Sequence, residues 1–508
     1  MLFNSYEFLF LFLPATLAGF FVLSGVRRFR IAAAWLALAS IFFYGYWNPR
    51  YVALLLGSIA VNFGAGMGIL RARADGRLRT AHRILVVAVV ADLATLGYFK
   101  YANFFVENLA RLASVDIDIA RIVLPIGISF FTFTQIAYLV DTYHGKVRET
   151  GFLPYTLFVT FFPHLIAGPV LHHAEMMPQF ASRETYRFRL DNFVLGLAFL
   201  CLGLFKKVVL ADGIQPFVSP VFEAKAGYPL SALEAWGGVL AYTLQLYFDF
   251  SGYSDMAIGL SKMVNVDLPL NFNSPYKAAN IADFWRRWHM TLSRFLRDYL
   301  YIPLGGNRKG TVRRYVNLML TMMLGGLWHG AGWTFIVWGT LHGLYLIVHQ
   351  FWGRLRERWG MAVPANASSM GAIASGTLTF ISVVVAWVFF RATSLDAAWR
   401  VLRGMVGMNG AALPQEWRPL VDWTGLFTFG NLEQFGGTYQ LAWVALLLLV
   451  VWLCPNSQTL IGRLSHGVVV RGHPRWSWMA LGALGFGALL LAAINGSRGS
   501  SEFIYFNF

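Results

Sequence analysis

Apolar stretches long enough to cross a lipid bilayer recur from one end of this chain to the other, and no other feature constrains the fold as strongly. A transmembrane helix needs roughly 20 predominantly apolar residues. Candidates lie at 7–26, 30–47, 51–70, 83–101, 121–140, 152–171, 193–211, 233–260, 315–330, 333–352, 371–391, 439–455 and 477–495. Pro, Gly or polar residues interrupt several of them, so the expectation is about eleven true spans. The chain is 13% charged, where soluble domains carry about 25%. No long polar linker breaks it, and residues 1–508 read as a single all-α, polytopic membrane domain.

Lys and Arg number 41 against 25 Asp and Glu, a formal net charge of +16. In a membrane protein that excess reads as basic cytoplasmic loops rather than as a nucleic-acid surface. Arg27, Arg28 and Arg30 follow the first span, and Arg71, Arg73, Arg77, Arg79 and Arg83 follow the third. Positive-inside weighting puts the N-terminus outside and these two basic loops in the cytoplasm, as expected of a multi-pass membrane protein. Cys201 and Cys454 are the only cysteines, which excludes a cysteine-based metal cluster and suggests no disulfide framework.

Two regions break the pattern. Pro163, His164, Gly168, Pro169, His172 and His173 interrupt an apolar segment. Non-helical backbone at membrane depth survives only against protein or a wet cavity, so a re-entrant or cavity-lining segment is expected there. Residues 262–314 are the most basic part of the chain. Within them Asn280 suits an N-cap and Asp283 a first helical turn. Ile281, Phe284, Trp285, Trp288, Leu292, Phe295, Leu296 and Tyr299 share one stripe, opposite Arg286, Arg287, Arg294 and Arg297. That pattern predicts one continuous amphipathic helix lying in the membrane interface.

His329 sits among four glycines in an apolar run, Leu324 to Trp333. An intramembrane ionisable residue is expensive and points to function, while the glycines permit a helix break. The same residues also fit a neutral histidine buried in tight helix packing. His289, at the edge of the amphipathic stripe, is either a base facing a pore or an interfacial anchor. Asp249 and Asp255 could each orient a histidine, or simply hold helices together. His164, His172, His173, His342 and His349 lack metal-site spacing, and no metal centre is expected. No phosphate-cradling loop or nucleophile elbow is present.

Several motifs are familiar together. Asn271-Phe272-Asn273-Ser274-Pro275-Tyr276, Phe284-Trp285-Arg286-Arg287-Trp288-His289, Tyr301-Ile302-Pro303-Leu304-Gly305-Gly306-Asn307 and Gly326-Leu327-Trp328-His329-Gly330 resemble the membrane-bound O-acyltransferase family. Tyr247 to Asp255, Trp387-Val388-Phe389-Phe390-Arg391, Phe503 to Phe506, Phe3-Asn4-Ser5, Leu124 to Phe130 and Gly168-Pro169 resemble its bacterial alginate O-acetyltransferase branch. The resemblance implies a helical funnel thinned at its centre, with the 262–333 block at its functional heart and a tunnel narrowing between His289 and His329. It implies His329 as the catalytic residue and His289 as the supporting one. Trp328 and Trp288, beside them, are further candidates, with Asp249 and Asp255.

By the same resemblance, no cofactor stays bound. An acetyl group passes from a cytoplasmic donor, acetyl-CoA, to periplasmic polysaccharide acetyltransferase or accessory proteins of an export complex that O-acetylates a polymer such as alginate. Arg286, Arg287, Arg294 and Lys277 could hold the donor's phosphates, although topology anchoring would explain the same charges. His329 could serve as general base or briefly as nucleophile. Other readings are an acceptor such as teichoic acid, lipid or protein, a saccharide transporter or flippase, and a non-catalytic scaffold. A transporter predicts inverted repeats, and the halves show no convincing self-similarity.

Overall fold

The computed structural model describes residues 1–115, 121–360, 369–424, 428–462, 487 and 503–504. The candidate span at 477–495 lies outside these residues apart from Gly487. Helices dominate, and among the described residues strands are confined to the parallel pair Leu413–Pro414 and Phe429–Gly430. Five helical stretches are long and apolar enough to cross a membrane: Glu7–Gly25, Arg50–Ala74, Leu78–Ala113, Leu190–Phe222 and Met370–Arg391. Phe29–Gly45 and Gly437–Leu453 are apolar but shorter. Ala232–Met263, Gly310–His329 and Trp333–Arg358 have the length but carry more polar side chains. The chain is thus an all-α protein built to cross the bilayer repeatedly.

The chain divides into two compact units interleaved in sequence. One comprises residues 1–205, 252–270 and 457–507, the other 206–251, 271–456 and 508.

In the first unit, the expected irregular segment is real. Helix Phe152–Thr160 stops at Phe161, whose backbone turns out of the helical region (φ −49°, ψ 110°). The N–H of Phe162 then donates to Ser40 Oγ at 3.1 Å, and residues 161–171 are all buried. Protein therefore satisfies and shields this broken backbone, as a low-dielectric setting demands. Buried polar pairs tie other helices together: Asn62 donates to Asp92 (2.8 Å), and Tyr155 donates to Gln135, which donates to Ser58. Phe3 and Phe503 stack on Tyr253, at 4.8 and 4.5 Å between ring centroids. Three of the quoted motifs thereby meet.

Helices Leu190–Phe205 and Ala232–Met263 approach each other through glycines seven residues apart on each. A Cβ on Gly196 would lie 2.5 Å from the Gly259 carbonyl oxygen, and one on Gly203 would lie 2.6 Å from that of Gly252. Backbones touch where side chains normally intervene, the small-residue packing that substitutes for the hydrophobic effect in lipid. Gly259→Ala puts a methyl 2.5 Å from the Gly196 oxygen and 2.6 Å from the Leu200 nitrogen. The expected loss is about 1–3 kcal/mol of stability, read as a lower melting temperature of the purified protein in detergent. An unchanged melting temperature would contradict the close approach.

The second unit holds the paired helices Gly310–His329 and Trp333–Arg358. They also meet at glycine: a Cβ on Gly326 would lie 2.3 Å from the Phe335 oxygen, and one on Gly339 would lie 2.3 Å from the Met322 oxygen. Between them the chain leaves the helical region only for Gly330 to Gly332. The glycines around His329 therefore supply both the helix break and the tight packing.

The amphipathic segment departs from expectation. It is not one helix: Ile281–Trp285 and Met290–Leu296 are separate, and a π-helical turn Arg297–Tyr301 follows. Asn280 does cap the first, accepting from the Asp283 N–H at 2.9 Å. His289 interrupts them in the left-handed region at φ 43°. Its neighbour Met290 donates its N–H to the Asn271 carbonyl at 3.0 Å, a tertiary bond that holds the turn. The stripe itself is correct: Ile281, Phe284, Trp288, Leu292, Phe295 and Leu296 are buried, while Trp285 and Tyr299 are half-buried.

Candidate active site

The site lies within the second unit, and four stretches of chain supply its histidines and most of its wall, with Phe250 and Asn271 added from elsewhere. Helix Gly310–His329 delivers His329 at its last residue, where Gly330 leaves helical geometry. The turn at 286–289 delivers His289. Helix Trp333–Arg358 supplies Trp338, and helix Ser369–Arg391 supplies Trp387 and Phe390.

The two imidazoles lie 6.4 Å apart, centroid to centroid, and both are buried. Aromatic edges wall them in. His329 meets Trp328 at 4.9 Å and both Trp338 and Phe390 at 5.1 Å, each near perpendicular. His289 meets the edge of Phe250 at 4.8 Å and Trp328 at 6.4 Å. Trp288 faces the other way, 4.9 Å from Trp387 in a cluster with Phe272, Tyr276 and Phe284. Trp328 therefore contacts both histidines, whereas Trp288 braces the wall behind them.

An amide orients His289. Its Nδ1 lies 3.1 Å from Asn271 Oδ1, which also accepts the Thr291 N–H (3.3 Å) and hydroxyl (2.9 Å). The backbone donor identifies that atom as the oxygen, so His289 carries its proton on Nδ1 when neutral and presents Nε2 as the basic nitrogen. Asn271→Ala removes the acceptor from three donors at once. We expect transfer to fall about tenfold to a hundredfold, ~1.4–2.7 kcal/mol in barrier, with the apparent KM for donor unchanged. A fall in donor affinity at unchanged turnover would contradict an orienting role.

The two carboxylates take structural partners. Asp249 is fully buried and pairs with Lys207 at 2.7 Å, and Lys207 also pairs with Asp212 at 2.9 Å. Asp255 belongs to the first unit, where it accepts the Ser457 hydroxyl at 2.5 Å.

The basic residues are partly engaged. Arg287 pairs with Asp283 (2.9 Å), and Lys277 donates to the Cys454 carbonyl (2.7 Å). Arg286 is exposed and Arg294 half-buried. Arg286 and Arg356 both act on His349, and Arg314 bonds Gln350, so these cations gather around one end of helix Trp333–Arg358. His342 is fully buried between Trp285 (5.1 Å) and Trp338 (4.8 Å). In the first unit His173 pairs with Asp141 at 3.2 Å. No group of three potential metal ligands occurs among the described residues.

Two buried histidines in an aromatic wall, one of them oriented through its Nδ1, suit proton transfer at a group that reaches both. Sequence comparison decides the family. The profile of the membrane-bound O-acyltransferase family matches residues 80–372, which include both histidines and the whole wall below Trp387. The chain belongs to the membrane-bound O-acyltransferase family. It is 45% identical over 439 residues to the peptidoglycan O-acetyltransferase of Helicobacter pylori, covering 81% of each chain. It is 44% identical over 410 residues to a Pseudomonas aeruginosa protein named probable alginate O-acetylase, covering 80% of this chain and 75% of that one. Similarity extends at 28% identity over 243 residues to the teichoic acid D-alanyltransferase of Streptococcus thermophilus, covering 46% of this chain and 58% of the relative. This chain is accordingly a membrane O-acyltransferase.

Asn271, Trp338 and Phe390 received no role from the sequence. Asn271 and Phe390 stand in the quoted family motifs, and that is the only signal that could have found them. Trp338 carries no such mark.

Proposed function

We propose that this acyltransferase moves an acetyl group from acetyl-CoA on the cytoplasmic side of the inner membrane to a glycan outside it. The observation that carries the reading is the pair of buried histidines 6.4 Å apart, inside the segment that bears the family's motifs. His329 acts as the base. It takes the proton of an acceptor hydroxyl, the oxygen bonds the thioester carbonyl carbon, the carbon–sulfur bond breaks, and the departing thiolate receives the proton. His289 Nε2 supports the reacting group from the opposite side. The aromatic wall excludes water and protects the thioester from hydrolysis.

Arg286, Arg287, Arg294 and Lys277 all belong to the second unit and would hold the donor phosphates. Arg287 and Lys277 must release their present partners to contribute. The N-terminus lies on the periplasmic side in this orientation, and periplasmic acetyltransferases of an export complex relay the group to the glycan, the final acceptor. Relatives named for peptidoglycan and for alginate match at 45% and 44%, so the acceptor is an extracytoplasmic glycan of either kind.

Sidedness tests the reading. Inside-out membrane vesicles given acetyl-labelled CoA should accumulate labelled acetyl ester in the lumen, and right-side-out vesicles should not. Equal labelling with and without the protein would contradict the proposal.

A further inference from the structure

We infer that the first unit carries a binding site for the phosphate headgroup of an anionic membrane lipid, separate from the chemistry of acyl transfer. Its place is a cavity of about 890 Å³ lined by Arg27, Arg28, Arg30, Arg183 and Glu149 among others. Four arginines against one glutamate leave a formal charge of +3 at its wall. Among the described residues none of these four guanidinium groups is held in an ion pair, unlike Arg77, Arg187 or Arg287 nearby in sequence or in kind. The charge is therefore available to a ligand.

Two helices also begin at this cavity. Phe29–Gly45 starts from Arg28 and Phe152–Thr160 starts from Gly151, and neither has a side-chain N-cap. Their first-turn N–H groups add partial positive charge to the arginines. Glu149 accepts the Gly151 N–H at 2.8 Å, and in the turn that follows Phe152 and Leu153 carry N–H groups while Pro154 has none. The rest of the lining is apolar, with Phe29, Phe152, Leu153 and Phe180 among it. A polyvalent, fully hydrated anion would gain little from those rings, whereas the glycerol and first methylenes of a lipid would be buried by them. Position agrees: residues 26–28 form the turn directly after the apolar span Glu7–Gly25, where headgroups lie.

The test uses the full chain, purified in detergent, stripped of lipid and titrated with phosphatidylglycerol or phosphatidylcholine under native mass spectrometry. Each arginine near an anionic headgroup contributes about fivefold in affinity. The variant Arg28→Gln/Arg30→Gln/Arg183→Gln should therefore lose on the order of a hundredfold of its preference for phosphatidylglycerol. A charge-matched control, Arg71→Gln/Arg79→Gln/Arg83→Gln, should keep that preference, and Arg28→Lys/Arg30→Lys/Arg183→Lys should keep most of it. Melting temperature in detergent verifies that each variant is folded. Retained preference in the glutamine variant, or equal loss in the control, would overturn the site. Displacement of bound lipid by coenzyme A or by inorganic pyrophosphate would show a soluble phosphate ligand and overturn the lipid assignment.

Discussion

Lys207→Met should lower the stability of this protein by about 3–5 kcal/mol, the usual result of removing one partner from a buried ion pair. Lys207 is buried, and its ammonium lies 2.7 Å from Asp249 Oδ1 and 2.9 Å from Asp212 Oδ1. The Asp249 side chain is 1% exposed, so it has no water to replace the lost cation. Methionine preserves the length and apolar volume of the stem, which isolates the charge. The double variant Lys207→Met/Asp249→Asn should recover part of the loss, because the stranded charge is then removed as well. Melting in detergent separates the outcomes. Equal melting temperatures for wild type and Lys207→Met would show that the carboxylates have other means of compensation.

His329→Ala and His289→Ala should each abolish most acyl transfer, by about 10²–10⁴-fold for a lost acid–base group. The informative feature is their combination. Groups that act as one unit give non-additive losses, so the double variant should be little worse than His329→Ala alone. The apparent KM for the acyl donor should stay near the wild-type value in all three, since neither ring is among the cations proposed to hold that donor. Additive losses would mean that the two histidines, 6.4 Å apart, serve separate steps.

Length and apolarity made the long spans legible. Glu7–Gly25, Arg50–Ala74, Leu78–Ala113, Leu190–Phe222 and Met370–Arg391 fall where continuous apolar runs lie. The break at 161–171 was legible for a related reason, since Pro163 and Pro169 cannot continue a hydrogen-bonded helix. The interruption at His289 was not. A single left-handed residue leaves the apolar stripe intact on both sides, and a histidine adopts φ 43° only because Asn271 holds the turn through Met290. That bond joins residues 19 apart in the chain, outside any local period.

The contacts between Gly196 and Gly259 are invisible for the same reason, since a glycine shows its close partner only once two helices are placed together. For the site, sequence pattern and resemblance pointed to His329 and His289, and the structure places them in one aromatic enclosure. The carboxylates show the limit of local reading. Asp249 and Asp255 are six positions apart, yet one holds a lysine and the other a serine.

The most direct test of the account measures acetyl ester content of both the exported polysaccharide and the peptidoglycan in cells carrying His329→Ala at wild-type membrane abundance. The account predicts that the ester added by this protein disappears from one of those glycans while the protein level stays the same. Full acetylation of both glycans in the His329→Ala strain, under conditions where deletion of the whole chain removes it, would contradict catalysis at this histidine.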